Sequence, residues 1–476
     1  MNSNHPIIIQ GGMGIAVSGW KLARAVSKLG QLGVVSGTAI NSVLVRRLQD
    51  GDKDGNMRKA LAAFPSQEVA QKILDTYYIE GGRQTSTPYK RSPLFNIKSS
   101  NLLLQLNAVA SFAEVWLAKE NHNGLVGFNL LEKVQLPNLS GLYGAMLADV
   151  DYVIMGAGIP REIPGALDLM SGNLKASLKI PVVGGTQEVL SFFDPAEVFP
   201  GMPLKKLKRP YFFPIVSSSV LAANLKKKAT GRVDGFIVEG PLAGGHNAPP
   251  RGPMKLNERG EPIYGERDVV SYEDMVALEL PFWMAGHFAT PEKLKEVQTL
   301  GAHGIQVGTL FAFSNESGLD EKLRKEATHT VLTEKAPEGG WIFTDPLSSP
   351  TGFPFKAARL PGSISEIKNY EARQRICDLG YLRHAYIKED GSTGQRCPAE
   401  PVVDFIKKGG KIEDTIGKKC LCNALMSDIG MAQIQANGQP EIHLLTAGDD
   451  LNNLSRILKG NQTSYSAADV INYLLQ

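Results

Sequence analysis

Short apolar runs alternate with helical periodicity through the first two thirds of this chain, and that rhythm constrains the fold more than any other feature. The candidate strands span residues 6–10, 33–36, 125–131, 152–155, 212–217, 235–238, 282–285 and 304–307. Helical patterns lie between and after them at 19–29, 102–119, 141–149, 220–230, 291–300 and 319–327. Strands separated by helical material predict a parallel sheet buried on both faces. Eight of them are the number that a closed parallel barrel needs. A doubly wound open sheet is the competing architecture on periodicity alone.

Three stretches interrupt the rhythm. Helical material continues from 43 to 79, and a polar loop rich in Gly, Ser and Pro then runs over 80–100. Residues 195–210 and 247–268 read as further insertions, and long structured loops on a barrel serve as lids or binding walls. From about residue 339 the β/α alternation stops. The chain is thus expected to comprise an α/β, (β/α)8 TIM barrel over 1–338 and a C-terminal extension over 339–476 packed on it. The extension would act as a lid or as a surface for association into a homo-oligomer.

Composition narrows the function classes. The chain has 476 residues, 43% of them apolar and 21% charged, as in ordinary globular proteins. Its net charge of +3 is too small to argue for a nucleic-acid or anionic-membrane partner. The start shows no charged segment followed by an apolar leader, and no run of about eighteen apolar residues is uninterrupted. A cytoplasmic location is the expectation. Cys377, Cys397, Cys420 and Cys422 all fall in the last quarter and would be free thiols in a reducing compartment. Four thiolates could complete a tetrahedral site. The Cys420-x-Cys422 spacing is not the usual two-residue knuckle, so no metal site is expected.

In a barrel of this kind the chemistry sits at the carboxyl ends of the strands. Nearly every candidate strand ends in small or polar residues, which suits a planar ligand across the mouth. The sixth leads into Glu239–Gly252, EGPLAGGHNAPPRG, where three prolines and four glycines exclude regular structure and His246 follows two glycines. Its ring titrates near neutrality and is a candidate acid/base group. Glu239, at the end of the same strand, could orient it. The seventh and eighth strands end in Ala285-Gly286-His287 and Gln306-Val307-Gly308-Thr309. These are phosphate-site candidates, because glycines let the backbone N–H groups approach closely and the Thr309 hydroxyl can add a hydrogen bond. His303 opens the eighth strand from the opposite, stability face.

These residues, read in order, resemble the nitronate monooxygenase group of FMN-dependent barrels, which also includes a class of flavin-containing enoyl-acyl-carrier reductases. The likeness is carried by Pro6-Ile7-Ile8-Ile9-Gln10 with Met13, Gly127-Phe128-Asn129-Leu130 and the strand leading into Ala243-Gly244-Gly245-His246. Ala285-Gly286 and the run from Gly301 to Thr309 complete it, with Glu316-Ser317 downstream. The resemblance implies that Met13, Asn129, Gly245, Gly286, Gln306, Gly308 and Thr309 contact FMN. It also implies that His246 faces substrate as the catalytic residue; Arg251 and His287, which lie beside these positions, are further substrate-side candidates read from their chemistry. The implied reaction is oxidation of an alkyl nitronate by O2 to a carbonyl compound and nitrite. The alternatives are NAD(P)H-dependent reduction of enoyl thioesters or quinones, and a non-catalytic flavin-binding partner subunit. The chain departs from the family at His287, where a second glycine is usual, and at Asn247-Ala248-Pro249-Pro250-Arg251.

Overall fold

The computed structural model describes residues 5–458 and 462–476. Eight parallel strands form its centre: β1 (Ile8–Gln10), β2 (Gly33–Ser36), β3 (Val126–Leu131), β4 (Tyr152–Gly156), β5 (Tyr211–Val216), β6 (Phe236–Glu239), β7 (Phe282–Ala285) and β8 (Gly304–Val307). Each pairs with its neighbours in sequence, and β8 pairs with β1. The ring closes between β1 and β2, where Gln10 N–H donates to the Leu32 carbonyl at 2.9 Å and Leu32 N–H to that of Ile8 at 3.1 Å. The open-sheet alternative is thereby excluded. All eight predicted strands are present, their ends displaced by no more than two residues.

Two-sided burial explains why these runs are almost wholly apolar. Ile9, Val34, Tyr152, Ile154, Phe213, Ile237 and Trp283 point inward and fill the barrel. Their strand neighbours, among them Ile8, Val35, Val153, Phe212, Phe236 and Val238, point outward into the helical layer. The amino-terminal end is plugged by rings. His5 Nδ1 lies 2.6 Å from the Tyr152 hydroxyl, and His303 Nε2 lies 2.8 Å from the His5 carbonyl. His303 therefore occupies the stability face, far from the mouth.

Residues 80–100 contain no helix or strand. Buried Tyr89 anchors them through a 2.7 Å hydrogen bond to Asp50 and a cation–π contact with Arg83. The insertion before β5 begins earlier than the 195–210 loop read from sequence. A hairpin, Ala176–Ile180 with Val189–Phe193, precedes it. Val182–Val183, between those arms, pairs in parallel with His384–Ile387 of the C-terminal segment. Helix Asn101–Lys119 is long and apolar enough to cross a membrane, but it is mostly buried against neighbouring helices such as Asn138–Leu147.

Beyond the barrel, Ile342–Asp345 and Phe355–Ala358 form an antiparallel pair, and Phe355 and Lys356 pair in turn with His246 and Gly245. The final helix, Ala467–Leu474, packs on Trp20–Lys28. Leu421, Met426, Leu445, Leu451, Leu454 and Ile471 share one continuous apolar core with the barrel helices. The segment from 339 onward thus covers the mouth as well as the flank.

Candidate active site

One cavity opens at the carboxyl ends of the strands. It gathers Met13, Asn129, Gly245, His246, Gly286, His287, Gln306, Gly308 and Thr309 from five separate strand ends. Arg251 is not among its lining residues. The Arg251 side chain is exposed, its guanidinium lying 3.4 Å from the Ser217 carbonyl while its N–H donates to Asp268. The part of the insertion that follows Asn247 turns outward, and this removes Arg251 from the substrate side.

Close backbone approach explains the glycines here. A Cβ on Gly12 would lie 2.3 Å from that of Asn129, and one on Gly244 would lie 2.7 Å from the Ala447 carbonyl carbon. Gly286 has φ +94°, a conformation that L side chains rarely adopt. His287 follows at φ +65°, so a histidine takes a left-handed backbone that glycine adopts without steric cost. Its Nδ1 lies 3.0 Å from Asp450, a residue of the C-terminal segment. Thr309 Oγ1 accepts the Gly448 N–H at 2.9 Å and keeps its own hydrogen for another partner. The N–H groups of Gly286, His287 and Gly308 meet no backbone acceptor among the described residues. Gln306 Oε1 is buried without any hydrogen-bond partner.

His246 sits in a two-residue bridge, held by the Phe355 strand. Its Nε2 lies 2.7 Å from Ser349 Oγ, and the Phe355 ring meets it edge-on at 4.9 Å. Among the described residues its Nδ1 has no partner. Burial lowers the ring's pKa to about 4, so the imidazole is neutral at physiological pH. Glu239 borders the same cavity, and burial pushes its carboxyl up to about 8. Among the described residues no hydrogen bond joins it to His246, so it does not orient that ring as the sequence suggested. It is instead a protonated acid at the barrel mouth.

The C-terminal segment contributes lining that no local pattern announces: Leu425, Asp428, Leu445, Thr446, Ala447, Gly448 and Asp450. Burial holds Asp428 well above the usual carboxylate range, with only the Leu444 N–H donating to it. Among the described residues no Lys or Arg lines the cavity. The site is therefore rich in neutral acids and poor in fixed positive charge.

Residues 182–335, which include β5 to β8, match the family model described as nitronate monooxygenase, and the likeness drawn from sequence is shown there. A probable nitronate monooxygenase of Staphylococcus haemolyticus is 27% identical over 168 residues, 34% of this chain and 42% of that protein. The chain thus matches less than half the length of this curated relative. Among solved structures, FabK from Thermotoga maritima is 14% identical, covers 99% of this chain and 92% of its own, and has a TM-score of 0.46. A nitroalkane oxidase from Streptomyces ansochromogenes is 14% identical, with coverages of 98% and 94% and a TM-score of 0.47.

Proposed function

We propose that this chain is an FMN-dependent oxidoreductase that reduces an uncharged, conjugated carbonyl substrate, an enoyl thioester or a quinone, with NAD(P)H as electron donor. The residues present fit the cofactor. Gln306 Oε1 is a buried acceptor awaiting a donor such as a ring N–H, and Gly245 faces open space that a Cβ would enter. Gly286, Gly308 and Thr309 would hold the phosphate, with Met13, Asn129, Gly245 and Gln306 against the ring system. When bound there, the flavin supplies the two-electron chemistry.

The observation that carries the substrate class is the charge of the lining. A nitronate is an anion, and burying it needs a cation or several charge-assisted donors. Among the described residues this cavity has neither Lys nor Arg, its His246 is neutral, Glu239 keeps its proton, and the ring of His287 is already paired with Asp450. A neutral carbonyl compound meets no such penalty. Glu239 can deliver a proton to the substrate as the partner of hydride delivery. With Ser349 donating to Nε2, His246 carries its hydrogen on Nδ1 and can donate to the substrate carbonyl.

Nitronate oxidation is the second reading, favoured by the name of the curated relative and of the matching family. Anaerobic stopped-flow separates the two. Rapid bleaching of the flavin by NAD(P)H, followed by reoxidation with a crotonyl thioester or a quinone, is the expected result. Bleaching by propyl nitronate but not by NAD(P)H would reverse the assignment, and a colourless protein that does not take up FMN would reject both.

A further inference from the structure

His287 is a basic side chain with no task in the chemistry above. The cavity at the barrel mouth is lined by two histidines and, among the described residues, by no Lys or Arg. His246 is held neutral by burial. His287 is therefore the one remaining base in that lining, and it stands where an anion is expected. It follows Gly286 at the end of β7, beside the end of β8 that supplies Gly308 and Thr309. The N–H groups of Gly286, His287 and Gly308, which meet no backbone acceptor among the described residues, face the same corner.

The C-terminal segment closes that corner. Gly448 N–H donates to Thr309 Oγ1 at 2.9 Å, and two residues further on Asp450 lies 3.0 Å from His287 Nδ1. One turn of the segment thus touches the ends of both strands, and the 3₁₀ helix Asp449–Arg456 packs on Thr309–Ala312. Asp450 is only 7% exposed, and Asn453 Nδ2 donates to its Oδ1 at 3.0 Å. Asp449 is engaged separately, by Lys356 at 3.3 Å. A carboxylate in this place repels a phosphate unless a cation stands with it. His287 meets that need: Nδ1 faces Asp450, while Nε2, across the ring, has no partner among the described residues. Burial raises the Asp450 carboxyl and His287 pulls it down, so acid and ring titrate as a pair. An anion at Nε2 favours the arrangement with the proton on the ring.

We infer that His287 is the counter-cation of the FMN phosphate, oriented by Asp450, and that the pair makes the site selective for phosphorylated flavin over riboflavin. The phosphate gains a charge-assisted hydrogen bond, stronger than those of neutral backbone amides. The left-handed backbone of His287, at φ +65°, fits such a role, since local strain of this kind gathers at binding sites. The inference rests on the FMN reading above but is independent of the substrate assigned to it.

The full-length chain, freed of flavin, is titrated with FMN and with riboflavin, which has the same ring system and ribityl chain but no phosphate. Wild type should bind FMN the more tightly. His287→Asn is the informative variant, because asparagine tolerates the left-handed backbone and keeps a neutral donor. It should bind FMN about 10–100-fold more weakly, the effect of losing a hydrogen bond to a charged group, and riboflavin as wild type does. In histidine 15N spectra, FMN but not riboflavin should bring one ring to the doubly protonated form. That signal should be missing from His287→Asn and weakened in Asp450→Asn. Should the variants misfold, the wild-type affinities and spectra still decide. Equal loss of FMN and riboflavin in His287→Asn would make the residue structural and overturn the inference. So would unchanged FMN affinity, or a neutral ring in the FMN complex. If wild type binds both flavins equally, this inference alone falls; if it binds neither, the cofactor reading falls and takes this inference with it.

Discussion

Glu239 ends β6 and His246 lies on the loop that follows, yet burial acts on them in opposite senses and leaves both uncharged. For Glu239 the folded pKa is raised above its unfolded value. The stabilising contribution is complete below about 4.5 and is lost as pH rises through about 8. For His246 the folded pKa is depressed, so its contribution is present above about 6.5 and is lost as pH falls through about 4. If Glu239 is the proton donor, turnover declines as pH rises through about 8. Glu239→Gln should cost about 10²–10⁴-fold in kcat and abolish that decline, while its thermal stability relative to wild type rises between about pH 4.5 and about 8. A variant that is slow but keeps the alkaline limb would assign the limb elsewhere. His287 supports a second prediction. It pays for a left-handed backbone that glycine adopts freely, and its ring pairs with Asp450. His287→Ala loses the pair and keeps the strain, whereas His287→Gly loses the pair and relieves it. The glycine variant should be the more stable of the two by about 1 kcal/mol in urea unfolding. Equal midpoints would show that the backbone at this position is unstrained.

At the scale of elements, the pair formed by Ile342–Asp345 and Phe355–Ala358 does for His246 what a local turn cannot. It supplies Phe355 against the ring and, from the connection between its strands, Ser349 on Nε2. Ser349→Ala should leave FMN affinity and melting temperature nearly unchanged but lower kcat by about tenfold, the worth of roughly one hydrogen bond. A rise in KM at constant kcat would instead make Ser349 a substrate contact. This element also shows where reading the sequence stops. The barrel strands were legible because each is a short apolar run, bounded by turn residues and buried on both faces. The strand-end candidates followed, since closure of the barrel brings every carboxyl end to one mouth. The hairpin Ala176–Ile180/Val189–Phe193 was overlooked, although Leu178 and Ile180 alternate with Lys179 and a Gly184-Gly185 turn lies between the arms. Arg251 was misplaced because a Pro-rich loop gives no direction for its exit. Nothing in residues 425–450 points toward the barrel, and their place over the cavity is set only by tertiary packing.

On the scale of the whole molecule, that packing decides whether barrel and extension can come apart. Their apolar side chains form one continuous core, and the backbone itself makes contact at the mouth: Ala447 and Gly448 press against the Gly244 backbone, and Gly448 N–H donates to the Thr309 hydroxyl. An extension docked through a separable surface would unfold first and leave a barrel still holding flavin. A shared core does not permit this, because removing the extension exposes the barrel helices and opens the cavity together. Equilibrium urea unfolding followed by flavin fluorescence and by far-ultraviolet circular dichroism should therefore give coincident single transitions. Free FMN at about 100 times its dissociation constant should move both midpoints to higher urea, by the equivalent of about 2.7 kcal/mol. Release of flavin well before the loss of helical signal would mean that the extension opens as its own unit. In that case the lining from Leu425 to Asp450 would be a lid that turnover can lift rather than a fixed wall of the site.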